Sequence, residues 1–335
     1  MKFLRGLNQF LVGILCAVFL GWLLAAEGAS GGLFRTEFTT KLAVFLIFLS
    51  QGLTLPSEEI KTGFLQWRFH LFSTVFIFVF FPGVTFLVLV VLDPLFSGRA
   101  WWTADLQMGF YFLAILPTTI TTAVVYTGKS GGNVSAALFS TAFTNIAGIF
   151  IVPLAGLALA GGLGFDGEGE GFAAGPTILK ILLLLFLPFV LGQALRPWLK
   201  FRVDGRKALF RNINVYLVYF IVFAAFANSF HNETWAQYPP IFLFITVVLT
   251  LILLVLFSGT AWLFTGWFGF SPAERIAGFF CASQKTLAAG IPLAGSLFVT
   301  GRPEIGLVIL PLMAYHPLQL ILHGYFVGRW EKGLG

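Results

Sequence analysis

The chain has 335 residues, of which 58% are hydrophobic and only 10% charged, with 20 Lys and Arg against 14 Asp and Glu and a net charge of +6. A soluble domain carries charge on about a quarter of its residues, so this chain cannot coat itself for water, and a soluble enzyme is excluded. The basic excess lies in short segments between apolar runs, where it reads as membrane orientation and not as a nucleic-acid surface.

Apolar runs bounded by charged or Gly/Pro/Asn clusters predict ten membrane spans. The first five run from Phe10 to Ala26, Leu42 to Leu55, Phe69 to Leu92, Leu106 to Tyr126 and Val134 to Ala160. The second five run from Thr177 to Leu195, Ile213 to Phe230, Ile241 to Trp267, Ile276 to Val299 and Ile305 to Val327. Each crossing uses about 20 apolar residues, which leaves loops and tails but no second, soluble domain. Runs this long in lipid must satisfy their backbone internally and are therefore helices, so the fold class is an all-α integral membrane protein. Cys16 and Cys281 both sit inside apolar runs and read as small buried hydrophobes rather than a disulfide.

Lys2 and Arg5 ahead of a run ending in Ala25-Ala26-Glu27-Gly28-Ala29 imitate a secretory signal peptide. We expect the segment to be retained as the first span, since its removal would leave nine. With the N-terminus inside, 14 Lys and Arg fall in inside segments and five, Arg35, Lys41, Arg99, Lys180 and Arg302, in outside ones. This bias places both termini in the cytoplasm of a cell whose inner membrane holds the protein. The acidic, Gly-rich stretch from Gly161 to Gly175 then becomes a flexible external loop.

Two halves of five spans, residues 1–165 and 166–335, would run in opposite directions, as in the inverted repeats of many secondary transporters. The fourth span contains Pro117 and ends in Thr127-Gly128-Lys129; the ninth contains Pro292 and ends in Thr300-Gly301-Arg302. Thr127-Gly128-Lys129-Ser130 also resembles the end of a phosphate-binding loop, but Val124 stands where that motif needs Gly, so a tight helix connector is expected.

The chemistry concentrates at the two interrupted spans. Proline inside a membrane helix frees backbone carbonyls that some other group must satisfy. Pro117 is followed by Thr118, Thr119, Thr121 and Thr122, and the next span offers Ser140, Thr141, Thr144 and Asn145 on one helical face. These eight polar groups are either helix-packing contacts or the wall of a polar cavity. Lys285 lies nine residues beyond Ile276, about 14 Å into a core about 30 Å thick, near the midplane. No Asp or Glu lies deep in a predicted span, so its partner is a carbonyl, a hydroxyl, water or an anion. It is either a structural cation or a group that meets substrate. Ser283, Gln284 and Thr286 surround it, and Ala288 to Pro292 is the expected unwinding point. His70 and His316 could titrate or bind cation; a hydrogen-bonded packing role suits them better, and the same holds for Gln51, Gln193 and Gln319. Metal-ligand spacing, a nucleophile with its base and a nucleotide fingerprint are all missing from the sequence, so neither an enzyme nor a bound cofactor is expected.

Several strings resemble a known family: Gly52-Leu53-Thr54-Leu55-Pro56-Ser57-Glu58-Glu59, His70-Leu71-Phe72 with Phe80-Phe81-Pro82, Gly131-Gly132-Asn133 with Ala136-Ala137, Gln284-Lys285-Thr286-Leu287 with Gly290-Ile291-Pro292, and Pro311-Leu312 with Tyr315-His316-Pro317. Together they resemble the bile acid:sodium symporter superfamily, and within it the SBF-like branch that includes the seventh member of solute carrier family 10. The resemblance implies ten helices as two inverted five-helix repeats. It also implies a panel domain of spans 1, 2, 6 and 7 and a core domain of spans 3 to 5 and 8 to 10, with spans 4 and 9 broken and crossing. In the resembled sodium-coupled members, Ser-Asn follows the span-4 break and span 9 carries Glu-x-Gly-x-Gln-Asn. Here Thr121-Thr122 occupies the first place, while Phe280 and Lys285 replace the Glu and the final Asn. Thr141 matches a sodium-binding hydroxyl of span 5, which leaves a vestigial sodium site near Thr122, Thr141 and Gln284. Lys285 is then expected to stand in for a sodium ion, its charge held by the C-terminal carbonyls of the first half-helix of its own span.

The expected function is secondary transport of an organic anion or amphipathic solute by alternating access, with Na+ or H+ as a coupling ion and sodium coupling in doubt. The expected site comprises Pro117, Thr118, Thr119, Thr121, Thr122, Asn133, Ser140, Thr141, Thr144, Asn145, Ser283, Gln284, Lys285, Thr286 and His316. The alternative, which the resemblance also implies, is a non-transporting membrane regulator of calcium homeostasis. The expected partners are the solute and the lipid bilayer.

Overall fold

A computed structural model describes residues 2–54, 66–99, 101–162, 174–298 and 305–333, and among these the chain is helical with no strand. The helices, in chain order, are α1 (Lys2–Leu23), α2 (Thr36–Thr54), α3 (Trp67–Phe96), α4 (Ala104–Ile115), α5 (Ile120–Lys129) and α6 (Val134–Gly162). After them come α7 (Ala174–Asp204), α8 (Lys207–His231), α9 (Ile241–Trp267), α10 (Pro272–Ser283), α11 (Leu287–Leu297) and α12 (Leu310–Gly333). Most of the acidic stretch from Gly161 to Gly175 lies outside the described residues, as do Leu55 to Glu59, Lys61 and the Thr300-Gly301-Arg302 turn.

Against the ten expected spans, six of the described helices are long and apolar enough to cross a membrane, and the pair α4 and α5, bent by 56° at its break, makes a seventh. The chain is an integral membrane protein. α2 opens on Glu37 and Lys41, which shortens its apolar stretch, and α10 and α11 are each too short to cross alone.

The chain divides into two compact units. The first comprises residues 1–55, 156–239 and 288–309. Within it α2 packs along α7, and α1 along α8. Small residues set the α2–α7 distance: a Cβ on Gly52 would lie 2.2 Å from the Phe189 carbonyl oxygen, and one on Gly192 would lie 2.4 Å from that of Leu49. Close backbone approach through small residues is how membrane helices gain contact without a hydrophobic driving force. The C-terminal carbonyls of α2 then find partners on α7, Gly52 O from Gln193 Nε2 and Leu53 O from Arg196. Gln193, read as a packing residue, thus caps a helix end. Glu37, exposed in the first turn of α2, has its carboxyl held below the usual carboxylate range by its own backbone N–H and that of Gly31.

The second unit comprises residues 56–155, 240–287 and 310–335. Here α9 lies along α10 and α12, α5 along α10, and α4 along both α3 and α12. Ser271 and Glu274 form a reciprocal capping box that starts α10 one residue before Pro272. The Thr127-to-Ser130 segment is the tight connector expected: Gly131 takes φ +73, open to glycine at no cost, and Gly132 N–H returns to Thr127 O.

Candidate functional site

Both interruptions have local causes. Leu116 precedes Pro117 and is disfavoured from the helical region; it adopts φ −70, ψ 147, and the chain stays non-helical until Ile120. α10 ends at Gln284, φ −83, ψ 149, and the helix resumes at Leu287. The ninth-span break therefore lies at residues 284–286, not at the expected Ala288 to Pro292. Pro292 sits inside α11 and deprives only the Ala288 carbonyl of a partner, whereas residues 284–286 find better partners outside the helix.

Those partners join the two breaks. Thr286 N–H donates to Pro117 O at 3.1 Å. Gln319, on α12, clamps the intervening peptide from both sides, its Oε1 accepting from Lys285 N–H at 2.8 Å and its Nε2 donating to Lys285 O at 3.0 Å. Lys285 itself is fully buried. Its Nζ donates to Ala114 O at 2.6 Å and Leu116 O at 2.7 Å, the last carbonyls of α4, with Ile77 O at 3.5 Å. The Phe81 ring centroid lies 4.0 Å from the same nitrogen.

The sequence accounts for each acceptor. The Pro117 break leaves the α4 carbonyls without N–H partners and places the negative end of a helix dipole there. Ile77 belongs to a π-turn, Phe76–Phe80, in which Phe81 N–H goes to Phe76 O; the next residue, Pro82, has no N–H to offer Ile77. The ammonium thus meets three carbonyls freed by two prolines, and its three hydrogens are accounted for. The charge is held by the end of α4, a helix remote in sequence from Lys285, and not by the first half-helix of its own span as expected, because the peptides after Ala114 leave the helix and free their carbonyls there.

A second chain of side chains runs beside it. Ser283 Oγ gives its proton to Phe279 O, so toward His323 Nε2, 3.3 Å away, it can only accept. That assigns the ring proton to Nε2, which also faces Ser258 Oγ at 3.0 Å. Nδ1 is left to accept from Gln284 Nε2 at 3.1 Å, and Gln284 Oε1 accepts from Thr122 Oγ1 at 2.7 Å. Tyr315 closes the region by donating to Ser283 O at 2.6 Å. Phe280, where the resembled pattern has a carboxylate, is buried and packs its ring against Tyr126, His323 and Trp330.

Of the expected site residues, Pro117, Thr122, Ser283, Gln284, Lys285 and Thr286 are brought together directly. Asn145 joins Thr118 O and Thr141 O through its amide, at 2.8 Å each. Thr118 Oγ1 and Ser140 Oγ are buried with no hydrogen-bond partner among the described residues. The Thr141 and Thr144 hydroxyls turn onto their own helix. Thr119 is half-buried and Thr121 exposed. Asn133 is elsewhere: it caps α6, accepting from Ala136 N–H, and donates its own N–H to Ala273 O. His316 Nδ1 meets Gln319 Nε2 at 2.9 Å, and His70 packs on Phe139 with centroids 4.3 Å apart. The sequence reading missed His323, Ser258, Tyr315 and the central part played by Gln319. One signal was there: residues 316, 319 and 323 share a helical face. Among the described residues no group of His, Cys, Asp and Glu could hold a metal ion.

Comparison with known proteins gives these features a family. The model of the SBF-like CPA transporter family matches residues 8–332. A protein of Escherichia coli strain K12 that carries a symporter name, YfeH, is 34% identical over 99% of this chain and 95% of its own. Sodium/bile acid cotransporter 7 of Danio rerio is 30% identical over 97% and 94%, and that of Mus musculus 29% identical over 95% and 91%. With a family match over nearly its whole length and a paired helix break in a membrane-embedded unit, the chain belongs to the SBF-like CPA transporter family and is a membrane transporter, not an enzyme.

Proposed function

We propose that the chain is a secondary transporter that moves an organic anion or amphipathic solute by alternating access, with Lys285 serving as a tethered cation where related transporters bind sodium. The observation that carries the reading is the seat of Nζ on the Ala114 and Leu116 carbonyls, at 2.6 and 2.7 Å, beside the break between α4 and α5. Carbonyls at the end of a half-helix are what a monovalent cation uses in transporters with interrupted spans. An ammonium there holds the break closed without an ion, and Phe280 supplies no carboxylate for a second one. The ten-span inverted plan, with repeats at residues 1–165 and 166–335, is part of this proposal. The pairing of breaks at Pro117 and Gln284 supports it. The separate compaction of residues 56–155, 240–287 and 310–335 supports a core of spans 3 to 5 and 8 to 10, although residues 288–309 compact with the other unit. An inner-membrane location with both termini cytoplasmic rests on the 14 to 5 distribution of Lys and Arg.

The test is uptake into proteoliposomes of radiolabelled bile acids, steroid sulfates and small carboxylates, with external sodium replaced by potassium. Uptake that persists without sodium is the expected result. No uptake of any member of the panel would count against solute transport, and uptake that demands sodium would overturn the tethered-cation reading.

A further inference from the structure

The flank of α9 and α12 carries a cavity of about 350 Å³ that the transport reading does not use. That volume lies at the lower end of the range for small-molecule sites. Its walls are aromatic: Trp262 and Trp330 stack with centroids 5.3 Å apart, and Phe279 meets Trp330 edge-on at 5.3 Å. Phe326 and Gly259 also line it, and the buried Ser258 forms a polar floor. Around it the same helices present Val255, Leu263, Ile321 and Tyr325, each more than half exposed. On a helix apolar enough to cross a membrane, such a face meets acyl chains.

The rim is basic. Arg329 lines the cavity, and the Arg275 guanidinium lies over the Trp262 ring, 4.3 Å from its centroid. Neither arginine has a carboxylate partner among the described residues, and Arg275 Nε is buried without a hydrogen bond. Glu274, next in sequence to Arg275, is engaged at Ser271. Trp and Arg together at helix ends mark the depth of lipid headgroups, and basic pockets between spans at that depth take anionic headgroups.

We infer that this cavity binds one phospholipid with an anionic headgroup, its acyl chain between Trp262, Phe279 and Phe326 and its phosphate between Arg275 and Arg329. Charge complementarity selects this occupant: a zwitterionic lipid fills the apolar part equally but gains less at the rim. Through Ser258 the chain end sits one hydrogen bond from His323 and two from Gln284 at the helix break.

Native mass spectrometry of the purified protein with an equimolar mixture of phosphatidylglycerol and phosphatidylcholine of matched acyl chains tests this. Two basic groups at the bilayer surface should give phosphatidylglycerol a preference on the order of ten-fold. Arg275→Gln with Arg329→Gln should abolish the preference while leaving some binding of both lipids. Gly259→Leu should weaken both: Gly259 lines the cavity and a Cβ there meets nothing within 4 Å, so the added side chain has room to enter and obstruct the space the acyl chain needs. Equal retention of the two lipids by the unaltered protein would overturn the inference, as would undiminished phosphatidylglycerol preference in Gly259→Leu. A lipid-free dimer that Gly259→Leu dissolves would assign the groove to a second copy of the chain instead.

Discussion

Replacing Lys285 by methionine keeps most of the volume of its stem and removes the ammonium. Ala114 O and Leu116 O, accepting at 2.6 and 2.7 Å, then face a thioether and stay buried. Each orphaned carbonyl costs about 1–3 kcal/mol, so Lys285→Met should lose about 2–6 kcal/mol. At about 2 °C per kcal/mol, the figure for domains of about 250 residues, the melting temperature should fall by about 4–12 °C. Lys285→Ala orphans the same carbonyls but opens space beside them. If the ammonium occupies an ion's place, a small monovalent cation should enter and restore about 2.7 kcal/mol at 100 times its dissociation constant. Thermal unfolding of both variants and the unaltered protein, followed by tryptophan fluorescence in sodium, potassium and choline chloride at one ionic strength, measures both effects. A Lys285→Met protein melting within 1 °C of the unaltered one would refute the claim that the ammonium holds the break. Lys285→Ala with no dependence on cation identity would refute the ion replacement, and a sodium-specific shift in the unaltered protein would place a working sodium site elsewhere.

Thr122→Val leaves Gln284 Oε1 without its donor and should cost about 1–3 kcal/mol; in a double-mutant cycle with Gln284→Leu the two losses should be far from additive, and strict additivity of the unfolding free energies would show that the pair does not couple. Gln319→Leu strips Lys285 N–H and C=O of their clamp together and should destabilise more than Thr122→Val, while Gln319→Glu, which can still accept from Lys285 N–H, should keep part of the stability by the same unfolding assay. Gly52→Ala should destabilise strongly, because its Cβ would fall 2.2 Å from a backbone oxygen that cannot turn aside, whereas Gly83→Ala, with nothing within 4 Å, should be neutral or better. Glu37 has a folded carboxyl below its ordinary range, so it favours the folded state above that range and the benefit fades as pH falls through the lowered value; Glu37→Gln should therefore melt below the unaltered protein at neutral pH, with the difference closing on acidification.

Residue types and their spacing were enough to establish the solvent, the helical class and the first of the two helix breaks. A chain with 10% charge cannot face water, and Pro117 disfavours the helical conformation at Leu116, which is extended. The burial of Lys285 inside an apolar run, and the absence of an Asp or Glu nearby in sequence to receive it, were equally legible. Tertiary structure alone decided which groups answer that lysine. Carbonyl acceptors carry no side-chain signature, and Ala114, Leu116 and Ile77 become acceptors only because the helix stops before Pro117, Pro82 has no N–H for Ile77, and packing turns the freed oxygens toward Nζ. The second break shows the same division. Pro292 marked it a turn too late, because a helix ends where its peptides find better partners, and those of Lys285 and Thr286 lie on Gln319 and Pro117, 34 residues later and 169 earlier in the chain.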